Sequence, residues 1–125
     1  GASRMYMTQD DMPPHLLAAA FRAGHELAWP RREALEAISW FARKGLAVEG
    51  VEIWIPAGSG PEIPTPFIYT WTVEPGTEEE PWPAFVARAE EEAAAYVRDF
   101  RWDERDRAYQ GREPFFNLTV ADSFE

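Results

Sequence analysis

Cysteine is absent from this chain, lysine occurs once, and no apolar run approaches the roughly 20 residues of a membrane-spanning helix. The first absence removes disulfides, thiolate nucleophiles and thiolate metal ligands. It fits a reducing cytoplasm, which is the expected compartment, and the N-terminus lacks the pattern of a signal peptide. Basic residues are scarce as a class, with 12 Lys and Arg against 22 Asp and Glu and a formal net charge of −10. Such a balance repels nucleic acid and anionic membranes and favours basic surfaces. Eleven of the twelve cations are arginine, which, with abundant Ala and Glu, hints at a GC-rich bacterial source.

Aromatic residues are plentiful: six Trp, eight Phe and four Tyr in 125 residues. Hydrophobic residues make up 46% and charged residues 27%, an ordinary globular composition. The length suffices for one domain with a core of its own. The expectation is therefore a single globular domain over residues 1–125. Residues 1–9 are expected to be disordered or a cloning remnant, because Gly1-Ala2-Ser3 precedes Arg4-Met5, and Met5 or Met7 would then be the native start.

Periodicity divides the chain. Asp10-Asp11-Met12-Pro13-Pro14 reads as a helix start, and Leu17, Phe21, Gly24, Leu27 and Ala28 recur at helical spacing, so a first helix is expected to run to about Ala28. Pro30 opens a second helix with Leu35, Ile38, Phe41 and Ala42 inward, closed by Lys44-Gly45. Val51, Ile53 and Ile55 alternate with Glu52 and Trp54 as a half-buried strand that Pro56 should end. Four prolines and two glycines make 56–66 an irregular loop. A strand over 67–74 puts Phe67, Tyr69, Trp71 and Val73 on one face. A third helix spans about 82–100, with Phe85, Ala89, Tyr96, Val97 and Phe100 inward and Glu90, Glu91 and Glu92 outward. The charge-dense 102–111 segment reads as a solvated turn or short helix, and 115–121 as a last strand. The expected fold is α+β in the order α-α-β-β-α-β, a small antiparallel sheet of about three strands with helices on one face.

Catalytic signatures are thin. His15 and His25, ten residues apart on one expected helix, would stand about 15 Å apart, too far to share a metal. Glu52 beside Trp54 is a place to look for a general acid, but alternation makes it first a mark of the solvent face. The Glu78-Glu79-Glu80 and Glu90-Glu91-Glu92 runs lack the Asp/Asn-Gly pattern of a calcium loop. Gly58-Ser59-Gly60 lacks the Lys-Ser/Thr of a phosphate loop. Asn117-Leu118-Thr119 matches a glycosylation acceptor by chance inside a strand. No catalytic residue, metal ligand or cofactor is expected. Trp54, Trp82, Trp102 and Tyr109, by contrast, lie beside acids, prolines or strand faces, as anchors for a basic partner would.

A family resemblance sharpens this. Trp29-Pro30-Arg31-Arg32-Glu33-Ala34-Leu35-Glu36-Ala37-Ile38 followed by Gly45-Leu46-Ala47-Val48-Glu49-Gly50-Val51-Glu52-Ile53-Trp54 is a helix running into a strand that ends in glycine, an acid and tryptophan. With Pro64-Thr65-Pro66-Phe67-Ile68-Tyr69-Thr70-Trp71 and Gly111-Arg112-Glu113-Pro114-Phe115-Phe116-Asn117-Leu118, it resembles predicted immunity proteins of bacterial polymorphic toxin systems over about residues 19–120. Where that group often has Gly-Gly-Asp, this chain has Gly50-Val51-Glu52, keeping the acid. The resemblance implies a non-enzymatic inhibitor that binds and occludes a cognate toxin protein. The contact candidates are Glu52, Trp54, Glu90, Glu91, Trp102, Asp103, Glu104 and Tyr109. Two other readings stand beside it: a small-molecule-binding or enzymatic domain with a pocket around Glu52, Trp54, Tyr69 and Trp71, and a self-associating adaptor.

Overall fold

The computed structural model describes residues 11–58, 60–64 and 69–124. Along them run α1 (Pro14–Ala19), β1 (Phe21–Ala23), β2 (Glu26–Pro30), α2 (Arg31–Arg43), β3 (Ala47–Ala57), β4 (Gly60–Glu62), β5 (Thr70–Thr72), α3 (Trp82–Asp99), a 3₁₀ turn (Arg107–Tyr109) and β6 (Phe115–Ala121). The fold is α+β, but its sheet has six antiparallel strands among the described residues, not three. The order is β1-β2-β6-β3-β4, with β5 also on β3. The expected start within residues 1–9, and Phe67 and Ile68 of the expected strand, lie outside the described residues.

The largest correction falls on the first third. Helical spacing of Leu17, Phe21, Gly24 and Leu27 suggested one long helix, yet α1 ends at Ala19 and β1 and β2 form a hairpin. Gly24, at φ +62°, opens the two-residue turn between Ala23 and Glu26, where a tight hairpin takes glycine. Leu27 and Trp29 then alternate inward, and the Trp29 indole donates to the Leu16 carbonyl at 2.8 Å, tying the short α1 to the sheet.

β3 is longer than its alternation shows. A register shift between Val48 and Gly50 turns Val48, Val51 and Ile53 all toward the helices. Nor does Pro56 end it: Pro56 lies opposite Pro61 of β4. In an antiparallel ladder every second pair exchanges no hydrogen bonds, so two facing prolines leave no N–H missing. The stretch expected to be irregular thus contains β4. Downstream, α3 and β6 fall where the spacing placed them. Of the strand expected over 67–74, only Thr70–Thr72 forms β5 among the described residues, with Tyr69 and Val73 buried and Thr70 and Thr72 exposed.

The sheet curls until β1 touches β4, giving a nearly closed, barrel-like wall. Phe21, Ala28, Asn117 and Glu52 form one cross-strand row. In a flat sheet β1 and β3 would stand about 14 Å apart, yet the Phe21 ring meets Trp54 edge-on at 6.1 Å. Asn117, buried between them, donates to the Leu27 carbonyl at 3.0 Å. On the other face α2 and α3 pack over Trp29, Val51, Ile53 and Phe116.

Arg31, at the start of α2, closes the end of α3. Its Nη1 donates to the carbonyls of Val97 at 2.6 Å, Phe100 at 3.1 Å and Arg98 at 3.3 Å, and its guanidinium lies over the Phe116 ring. The last carbonyls of a helix have no partner within it, and no glycine cap follows Asp99. Arg31→Ala is expected to lower the unfolding free energy by about 2–3 kcal/mol, and Arg31→Lys to recover part of that. A urea midpoint for Arg31→Ala equal to wild type would remove this role.

Candidate functional site

An open cleft of about 590 Å³ lies where the end of α3 meets β5 and the segment after α3. Its walls are Tyr69, Trp71, Tyr96 and Phe100, and its rim holds Glu92, Asp99, Arg101 and Asp103. Trp71 of β5 and Tyr69 just before the strand both pack on the helix-facing side, where Trp71 stacks on Tyr96 at 6.3 Å. Burial pushes the Tyr96 hydroxyl up to about 12.

Tyr69 is the hub. The rings of Phe100, Trp102 and Tyr109 meet it edge-on at 5.9, 5.1 and 5.9 Å. Its buried hydroxyl donates to the Asp106 carboxylate and accepts from the Asp103 backbone N–H at 3.1 Å. Burial first, then the bond to Asp106, raises it above the ordinary tyrosine value. Around it the charge-dense segment folds on itself. Arg105 grips Asp103 with Nε at 3.0 Å, Nη2 at 2.9 Å and its own N–H at 2.8 Å. Gln110 donates to the Asp103 carbonyl at 2.7 Å, and the Trp102 indole to the Arg112 carbonyl at 2.8 Å.

Of the eight contact candidates, Trp102, Asp103 and Tyr109 come together here, with exposed Glu104 on the same turn. Asp103 serves the turn's own structure, and Trp102 is a half-buried strut. Glu91 is exposed on α3, while Glu90 faces a separate hollow beside Trp82 and Arg43. Glu52 and Trp54 lie elsewhere, on the other face of the sheet. Trp54 is 2% exposed under Phe21 and donates to the Glu52 carboxylate at 2.8 Å. The pocket expected around Glu52, Trp54, Tyr69 and Trp71 is not assembled, because Trp71 stands opposite Val51 while Glu52 stands opposite Thr70, and neighbours along a strand point to opposite faces.

Sequence reasoning assigned Tyr96 and Phe100 to plain core, and read Arg105 and Asp106 as solvated. The available signal was the bracketing of a charged run by Trp102 and Tyr109, since two large rings so close to each other must fold onto something apolar. Among the described residues no cluster of three or more His, Asp or Glu side chains could hold a metal ion, and no helix is long and apolar enough to cross a membrane. No family model, curated protein or solved structure matches the chain.

The Arg105 hydrogen bonds hold the Asp103 carboxyl down to about 2, against an ordinary 3.8. A carboxyl lowered by folding stabilises the fold above its unfolded value, and that contribution fades as pH falls from about 4 through about 2. Carboxyl carbon-13 NMR should show Asp103 titrating near the lower value, and Arg105→Ala should return it toward the upper. An Asp103 midpoint unmoved by Arg105→Ala would refute the assignment.

Proposed function

We propose that this chain is an inhibitor of the immunity type, which binds a cognate toxin domain and occludes it by surface contact. The observation that carries the reading is the ordered aromatic surface at the end of α3. There Trp102 and Tyr109 are fixed on Tyr69, with Asp99, Glu91 and Glu104 exposed nearby in the chain. A surface already held by internal hydrogen bonds loses little conformational freedom on binding. Aromatic anchors with carboxylates around them suit a basic partner, and the net charge of −10 steers such a partner inward. The family resemblance of the 29–54 stretch agrees with this reading.

The roles divide by what each side chain already does. Tyr109 and Glu104 offer surface to a partner, and Glu91 offers charge. Asp103 acts by holding the turn. Glu52 and Trp54 fall outside the contact surface, since the indole is covered and the carboxylate accepts its N–H.

The test uses the tagged chain as bait in extract of its source cell, followed by purification of any stoichiometric protein recovered. Expressed alone in a bacterial host, that protein should arrest growth, and co-expression of this chain should restore it. Tyr109→Ala is expected to speed dissociation at least tenfold. Glu91→Lys and Glu104→Lys should each slow association several-fold at low salt, an effect that shrinks as salt screens it. A recovered partner that is harmless when expressed, or no stoichiometric partner at all, would overturn the proposal.

A further inference from the structure

A second feature lies at the opposite end of α3, about 27 Å away for an 18-residue helix. Between Lys44 and Arg88 the chain has seven glutamates and no lysine or arginine. Arg88 itself is spent internally. It grips Glu80 with Nε at 3.0 Å and Nη2 at 2.9 Å, donates to the Glu74 carbonyl at 3.0 Å and lies over the Phe85 ring. This clamps the acidic loop before α3 and leaves Glu78 and Glu79 exposed. Gly76 fits the clamp because a Cβ there would run into the Glu80 carboxylate.

Beside this loop runs a groove of about 440 Å³. Gly50, Val73, Pro75 and Phe85 line its apolar part and Glu49 its rim. Gly50 leaves the floor open, and a Cβ there would stand 3.3 Å from the Trp71 carbonyl. Phe124 forms one wall. At 52% it is the most exposed large hydrophobic residue among the described residues, yet it is seated edge-on against Trp82 at 4.9 Å and against Phe85 at 5.2 Å. Trp82 is fixed in turn by donating to the Gly45 carbonyl at 2.8 Å. Exposed aromatic area held in place beside a groove, next to the exposed carboxylates of Glu78 and Glu79, is complementary to one chemistry.

We infer that this groove is a docking site for a basic segment of a protein partner, an aliphatic residue flanked by arginine or lysine. The aliphatic side chain enters between Phe124 and the strand backbone, and the flanking cations meet Glu78 and Glu79. The inference does not depend on the partner being a toxin.

The probe is a short fluorescein-labelled peptide with a Leu-Ile pair flanked by arginines, followed by fluorescence anisotropy on the full chain. Two control peptides replace the arginines with glutamates or the Leu-Ile pair with serines. Both controls should bind at least tenfold more weakly. Phe124→Ala, which removes an exposed ring, should weaken the probe at least fivefold, and Glu78→Gln with Glu79→Gln should weaken it and flatten its salt dependence. Glu91→Gln with Glu104→Gln, away from the groove, should change affinity less than twofold. Amide shifts on binding should centre on Thr72, Val73, Gly76 and Thr119. No binding, equal binding by the serine peptide, or equal losses from the two glutamine pairs would each overturn the inference. Loss of toxin neutralisation with peptide binding intact would count against the proposed function alone.

Discussion

Much of this structure hangs on how the open end of α3 is satisfied. A helix leaves its final carbonyls without partners, and here the residue at the cap is Phe100 rather than glycine. Arg31 reaches across from α2 and takes three of them, while its guanidinium covers Phe116 of the central strand β6. One side chain thereby fixes α2, α3 and the sheet relative to one another. It also sets the direction in which the chain leaves α3, toward Tyr69 rather than into solvent. The cleft, the ring cluster and the folded turn after it all depend on that exit.

The two ends of α3 use charge differently. At the C-terminal end arginines and acids alternate, and most of the pairing is internal, as between Arg105 and Asp103. Aromatic area, more than charge, is what that surface has to offer. At the N-terminal end a single arginine serves two loop groups and several glutamates remain exposed, so charge and aromatic area occur together. The net charge of the chain is therefore a poor guide to any one surface.

The sequence was legible where local rules and tertiary packing agree. α2 has proline before it, Arg43 in its last turn and Gly45 at φ +79° after it, and both ends fall as expected. The sequence of β6 alternates Phe116, Leu118 and Val120 with Asn117 and Thr119, although the curled sheet buries Asn117 too. The first third was misread because Leu17, Phe21, Gly24 and Leu27 satisfy a helical period, while only tertiary context decides that Phe21 must reach Trp54. β4 was hidden by Pro61, which counts against a strand unless, as here with Pro56 of β3, it faces a position that needs no N–H. Trp102, Asp103 and Tyr109 were legible as neighbours in the chain, and the structure brings them together around Tyr69. The role of Tyr69 depends on residues more than 30 positions away, and no spacing rule carries that information.

The curl of the sheet has a consequence for the chain among its own copies. The strands at its margins, β1, β4 and β5, are three residues each, and β4 carries a proline. Unpaired backbone groups recruit strands from other molecules when they form a long, flat row. Margins this short, two of them touching, offer little template for such growth. A chain so rich in aromatic residues is thereby guarded against aggregation by the shape of its sheet as well as by its charge.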